Sequence, residues 1–111
     1  MVAFIFSCET NDNAISGAVT YYDKTINKAV EGEGADVYLF KSIVVMQNQP
    51  TSYLKKTTVG ASGYYSLSAL QAGPYYVYCE KLDSSGNILG LAGTSTLVTG
   101  NETRVLNITL K

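Results

Sequence analysis

The sequence predicts an all-β fold, a seven-stranded antiparallel β-sandwich, and three observations lead to that prediction. Apolar and polar residues alternate with a period of two from Ala14 onward, turn signals separate the alternating runs, and no window holds a helical face of useful length. Nine tyrosines and ten glycines suit strands and tight turns. At 111 residues, the chain has the size of one domain with one core.

In chain order, the predicted strands are residues 15–21, 35–40, 52–59, 64–70, 75–82, 88–98 and 103–110. The polar stretch 23–28 ends the first strand, and the glycine-rich stretches 31–34 and 60–63 separate the next ones. Residues 83–86 are a strong turn signal before the sixth strand. Gly90 and Gly93 interrupt that strand and predict a bulge or bend. In the last strand, Val105 and Leu106 blur the alternation.

Two strands share a pattern in which a glycine is followed two residues later by a tyrosine. They read Gly63-Tyr64-Tyr65-Ser66-Leu67 and Gly73-Pro74-Tyr75-Tyr76-Val77. Glycine tolerates the positive φ of a tight turn, and the tyrosine faces the same side as the next core residue. We therefore expect Tyr65 and Tyr75 to be buried, with hydroxyls that reach a backbone carbonyl or the sandwich edge.

With Ile15-Ser-Gly-Ala-Val19 and Gly34-Ala-Asp-Val-Tyr-Leu39, these segments resemble the carboxypeptidase regulatory-like domain, a relative of transthyretin-like and collagen-adhesin B-type modules. The resemblance covers residues 14–111 and implies a prealbumin/transthyretin-like Greek key. Some related modules form a lysine–asparagine isopeptide bond. Asn107 is present, but residues 15–21 hold no lysine and residues 64–70 no acid, so no crosslink is expected.

Residues 1–13 differ in composition from the rest, because an apolar run ending in Ser7-Cys8 meets a polar stretch. The run resembles the end of a bacterial lipoprotein signal peptide, which implies lipid attachment at Cys8 and a place in the cell envelope, periplasmic or on the outer membrane. Residues 1–13 are then a signal remnant and polar linker, and the membrane is reached only through the anchor. The alternatives are an apolar strand packed on the sandwich, or a Cys8–Cys79 disulfide.

Several classes of function are disfavoured by composition. The net charge is −1 and the basic residues are scattered, so nucleic acid is not an expected partner. The chain has no histidine, and we predict no catalytic residue, no metal site and no cofactor. Only Asp36 and Glu80 place carboxylates within predicted strands, where they are expected to be surface charge.

Aromatic residues on the outward parity of two strands are the candidate binding face. If Val37 and Val77 face the core, then Tyr38, Phe40, Tyr76 and Tyr78 face outward. By analogy with transthyretin-like folds, the two strands are neighbours, so the four rings share one exposed face. The apolar run 43–46 covers this face, extends the strand or adds to the rim.

Two functions follow from this face. The first is a non-catalytic envelope lipoprotein module that mediates protein–protein contacts, and the alternative is a carbohydrate-binding module. In the carbohydrate-binding module, the polar partners for sugar hydroxyls would be Asp36, Glu80, Lys55 or Lys56. A hydrolase of the transthyretin fold is disfavoured, because the histidines that its chemistry uses are absent.

Overall fold

Two β-sheets pack face to face, which confirms the predicted sandwich. The computed structural model describes residues 13–111. Its elements are β1 (Asn13–Asp23), β2 (Lys28–Glu31), β3 (Asp36–Phe40), α1 (Ile43–Asn48), β4 (Lys55–Thr58), β5 (Tyr64–Leu70), β6 (Gly73–Leu82), β7 (Ile88–Val98), β8 (Thr103–Val105) and β9 (Ile108–Leu110). The first sheet holds β2, β1 and β5 together with β8 and β9, and the second sheet has the order β4-β3-β6-β7.

The first sheet is built around β1, which pairs along its length with four other strands. Its first half lies between β5 and β8, and its second half between β2 and β9. Both β8 and β9 run parallel to β1. The prediction of a wholly antiparallel sandwich is therefore wrong for these two pairings. Periodicity along one strand carries no information about the direction of its neighbour, and the relation between the chain's first and last strands is set by the whole topology.

Within residues 13–111, nine strand segments replace the predicted seven. The last predicted strand is broken after Val105, where the Asn107 side-chain oxygen accepts a hydrogen bond from the Ala18 amide at 2.9 Å. Asn107 therefore has a structural role, substituting for a strand carbonyl at the break. The additional segment, β2, is a short edge strand that lies outside the predicted strands. It was missed because it lacks the apolar alternation of a half-buried strand.

The core confirms the predicted parity of the second sheet. Val37 and Leu39 of β3, and Val77 and Cys79 of β6, have no exposed surface. Tyr65 is also buried, and its hydroxyl donates to the Leu106 carbonyl oxygen at 2.7 Å, as expected. The Tyr75 ring is half-buried against the core, and its hydroxyl donates to the Gln71 carbonyl oxygen at 2.7 Å.

Asn13 is a buried polar residue at the start of β1. Its amide nitrogen donates to the Leu70 carbonyl oxygen at 3.1 Å, and its side-chain oxygen accepts from the Glu102 amide at 2.8 Å. The side chain thus joins β1 to β5 and to the turn before β8. The first strand begins two residues earlier than predicted. Cys8 and the lipoprotein signal lie outside the described residues.

The predicted irregularity near Gly90 is confirmed. Lys81 of β6 pairs with Gly90 of β7, but Leu82 pairs with Ile88, so Leu89 is an extra residue. This two-against-one arrangement is a β-bulge, which bends the hairpin at its tip.

The helix α1 was not predicted from sequence. It is only six residues long, and Ile43, Val44 and Val45 are β-branched residues with low helix propensity. Local capping supports it, because the Ser42 hydroxyl accepts a hydrogen bond from the Val45 amide at 3.3 Å. The helix also packs against β3 and β6. Tertiary contact therefore outweighs propensity here.

Candidate functional site

The outer face of the second sheet brings the four predicted aromatic residues together. Tyr38 of β3 lies opposite Tyr78 of β6, and Phe40 lies opposite Tyr76. Residues directly opposite each other in an antiparallel pair share one face and touch. The neighbour relation inferred for these two strands is therefore confirmed.

The same four residues do not form one exposed face, which corrects the sequence-based expectation. Phe40 is only 1% exposed and Tyr76 9%, whereas Tyr38 and Tyr78 are half-buried. The helix α1 packs on β3 and β6 at this end of the sheet. The Tyr76 hydroxyl also occupies the space above Gly93, where a Cβ atom would overlap it. The helix and the glycine on β7 together allow these two rings to be buried on the outer side.

The side chains that remain accessible form a cleft of about 320 Å³, which we call the aromatic cleft. Its main lining residues are Tyr38, Phe40, Tyr53, Tyr78, Met46 and Glu80, and Pro50 and Thr51 complete it. This volume is at the lower end of the ~300–1,000 Å³ range of small-molecule sites. The cleft combines the accessible rings of Tyr38, Tyr53 and Tyr78 with hydroxyl and carboxylate oxygens, so it offers both stacking surfaces and hydrogen-bonding groups.

Tyr53 is the lining residue that sequence reasoning missed. Its ring lies 5.2 Å from the Tyr38 ring at 63°, and 6.4 Å from the Phe40 ring at 88°. The sequence predicts that residue 53 lies inside a strand. There it would share the side of Lys55 and Thr57, which pair with the core residues Leu39 and Val37, and so would face away from the aromatic face. The strand β4 begins only at Lys55, and the preceding loop carries Tyr53 to the cleft. No pattern in the sequence marks that change of direction.

Two carboxylates flank the rings on the second sheet. Asp36 and Glu80 are directly paired across β3 and β6. The Asp36 carboxylate accepts a hydrogen bond from the Thr58 hydroxyl at 3.3 Å, and the Glu80 carboxylate accepts one from the Tyr78 hydroxyl at 3.1 Å. Burial, and then the negative charge of Glu80, raise the pKa of Tyr78 to about 12, so its hydroxyl remains a donor at neutral pH.

Of the two lysines proposed as polar partners, only Lys56 is on this face. Its ammonium nitrogen lies 5.3 Å from the centre of the Tyr38 ring, which is a cation–π geometry. The pKa of Lys56 is raised, first by the Asp36 carboxylate and then by Tyr38. Lys55 pairs with Leu39 and therefore has the opposite parity.

Other reactive groups are poorly placed for chemistry. The Cys79 thiol is fully buried, and burial raises its pKa to about 12, so a reactive thiolate does not form at neutral pH.

Within residues 13–111, no three acidic or cysteine side chains meet in a group suited to a metal ion. In that same part of the chain, no helix is long and apolar enough to span a bilayer.

The sequence matches no protein-family model and no curated relative. Solved structures are similar in fold. A candidate carbohydrate-binding protein from Pseudomonas aeruginosa is 14% identical with a TM-score of 0.69, over 91% of this chain and 90% of that one. The minor pilin GBS52 of Streptococcus agalactiae is 17% identical with a TM-score of 0.59, over 93% of this chain and 45% of the pilin. This chain therefore spans less than half the length of that pilin.

An enzyme is also similar in fold. The 5-hydroxyisourate hydrolase of Klebsiella pneumoniae is 17% identical over 88% of this chain and 91% of its own, with a TM-score of 0.49. A likeness this distant supports no argument about activity. At such low identities, the comparisons show the fold alone, a β-sandwich of two packed sheets.

Proposed function

We propose that this chain is a non-catalytic binding module of the cell envelope and that its aromatic cleft binds carbohydrate. The observation that carries the proposal is the cleft itself, in which the rings of Tyr38, Tyr53 and Tyr78 meet the carboxylate of Glu80. Sugar rings have apolar C–H faces and polar rims, so an aromatic wall beside a few fixed oxygens suits them. The description of the Pseudomonas structure as a candidate carbohydrate-binding protein supports the same ligand class.

The burial of Phe40 and Tyr76 favours a small ligand over a flat protein interface on this face. A standard-size protein interface buries about 800 Å² of surface on each partner. With two of its four rings covered by α1 and β7, the aromatic face has become a pocket instead. For this reason, carbohydrate binding, which was the alternative from sequence, becomes the leading candidate.

Protein contact is the second candidate, and exposed leucines on β7 favour it. Leu91 and Leu97 lie opposite Glu80 and Pro74 of β6, and they are 42% and 54% exposed. They therefore share the outer face with the aromatic cleft. The similarity in fold to a minor pilin supports this function as well. Leu97→Lys separates the two functions, because Leu97 pairs with Pro74, six residues along β6 from Glu80. The variant would disrupt a protein contact there and leave the charge of the aromatic cleft unchanged.

The finer family placement is part of the proposal. The glycines of the repeated motif, Gly63 and Gly73, have backbone φ values of +85° and +153°. Residues other than glycine rarely adopt such values. Tyr65 is buried and Tyr75 half-buried, two residues beyond them. These positions support a carboxypeptidase regulatory-like module, although the motif is one of folding and assigns no ligand.

Binding through the cleft is tested by Tyr53→Ala on a glycan array, followed by calorimetry on the glycans that bind. Tyr53 lies in a loop and is 41% exposed, so its truncation should leave the fold intact and weaken binding about tenfold or more. Tyr76→Ala is a poor test, because Tyr76 is buried. Tyr64→Ala is the matched control, since Tyr64 is 62% exposed and lies in the other sheet. Unchanged binding by Tyr53→Ala, or no glycan bound by the folded protein, would refute the proposal.

The envelope location is tested at Cys8. The lipoprotein-like Ser7-Cys8 sequence motivates this part of the proposal, and mass spectrometry of the natively expressed protein should find a diacyl or triacyl group on Cys8 as the mature N-terminus. Cys8→Ser should release the protein from the membrane fraction. A native protein that retains an unmodified Met1 would contradict the anchor without affecting the cleft.

A further inference from the structure

The charge beside the aromatic cleft is predominantly negative. Glu80 lines the cleft, and its direct partner across the sheet is another carboxylate, Asp36. Like charges placed directly opposite in a sheet repel each other. Among the lining residues in the described part of the chain, none is lysine or arginine.

The two carboxylates are compensated unequally. Asp36 accepts a hydrogen bond from the Thr58 hydroxyl, and Lys56 is its diagonal neighbour on β4, on the same face of the sheet. Glu80 accepts only the neutral Tyr78 hydroxyl and forms no salt bridge within residues 13–111. The half-buried Glu80 carboxylate therefore has capacity for a cationic partner.

The rings favour the same sign of charge. An aromatic face carries a negative quadrupole that attracts ammonium groups. Lys56 already uses the Tyr38 ring in this way, at 5.3 Å from its centre. Tyr53 stands nearly perpendicular to Phe40 and steeply tilted against Tyr38, so a group in the cleft meets ring surfaces from more than one direction.

We infer that the aromatic cleft selects saccharides that carry a free, protonated amino group over neutral and acidic saccharides. This inference rests on the proposed carbohydrate function and specifies its ligand class. The ammonium group binds the Glu80 carboxylate, and a C–H face of the sugar stacks on Tyr53 or Tyr38. A neutral N-acetyl group in the same place would desolvate Glu80 without pairing its charge, and a uronate would be repelled.

The test compares two ligand series that differ in one group. Calorimetry would measure binding of glucosamine oligosaccharides and of the fully N-acetylated oligosaccharides with the same length and linkage. Wild-type protein should bind the free-amine series at least about tenfold more tightly, since charge-assisted hydrogen bonds are the stronger class. Glu80→Gln should reduce this ratio to near one, because it keeps the acceptor oxygen for Tyr78 and removes only the charge.

A matched control is Glu31→Gln, which removes the same charge from an exposed strand of the other sheet. It should retain the full wild-type preference. Equal binding of the two series by wild type would overturn the inference and leave the proposed function intact. If Glu31→Gln lost the preference as completely as Glu80→Gln, net charge would explain it and the site would be refuted. Failure of both series, and of every other glycan, to bind would refute the proposed function itself.

Discussion

Tyr65→Ala is expected to lower the free energy of unfolding by about 3–5 kcal/mol, a large part of the ~5–15 kcal/mol that stabilises a typical domain. The ring is 4% exposed and belongs to the main hydrophobic cluster between the sheets. The substitution therefore leaves a cavity and also removes the hydroxyl that donates to the Leu106 carbonyl oxygen. Chemical denaturation followed by circular dichroism would measure the change.

Two further variants make this prediction specific. Tyr65→Phe retains the ring and removes only the hydrogen bond, so it should cost about 1–2 kcal/mol. Tyr64→Ala removes the adjacent ring, which is 62% exposed, and should change stability by no more than about 0.5 kcal/mol. If Tyr65→Ala and Tyr64→Ala unfolded at the same denaturant concentration, the assignment of Tyr65 to the core would be wrong.

Gly17→Ala should destabilise the protein by about 3 kcal/mol or more, although it adds a single methyl group. Gly17 lies on β1, opposite Tyr65 of β5. A Cβ atom at Gly17 would overlap the backbone carbonyl of Leu106, at the break between β8 and β9. To remove the overlap, the chain must move away from β1, which would strain the bond from the Leu106 amide to the Ser16 carbonyl oxygen, now 2.8 Å.

Gly60→Ala is the control for this effect, because an added Cβ atom there has no neighbour within 4 Å and Gly60 has no positive φ. It should be neutral or stabilising by up to about 1 kcal/mol, since alanine restricts the unfolded chain more than glycine does. Thermal unfolding of the two variants would measure the difference. Equal midpoints would show that β1 and Leu106 are not in close contact.

Both predictions concern the contacts of Tyr65 and Gly17 with Leu106, and the sequence predicts only some of these contacts. The repeated Gly-x-Tyr pattern is sufficient to predict that Tyr65 is buried. The blurred alternation at Val105 and Leu106 indicates an irregular last strand, but it does not show that the strand breaks against Gly17. That contact joins β1 to a break in the chain nearly ninety positions away, and a local pattern cannot report it.

The candidate site was predicted to a similar extent. Alternation identified Tyr38, Phe40, Tyr76 and Tyr78 as outward-facing, and the resemblance to transthyretin-like folds implied that their two strands are neighbours. It did not predict α1, whose β-branched residues have low helix propensity, or the loop that brings Tyr53 to the cleft. The helix and the loop both depend on packing between segments that are separate in sequence, so alternation could not predict them. Together they turn the aromatic face into a cleft, which changes what this face can bind.

The sequence by itself determined the class of fold, because a period of two with closely spaced glycine turns is compatible with a half-buried sheet and with little else. It also determined which parity of β3 and β6 fills the core. The tertiary structure alone decided that β8 and β9 run parallel to β1, and that a helix and a loop convert an aromatic face into a cleft. The physical reason is the distance along the sequence over which each feature is decided. Alternation is a property of one strand and its two sides. Strand direction and surface shape depend instead on which distant segments pack against each other.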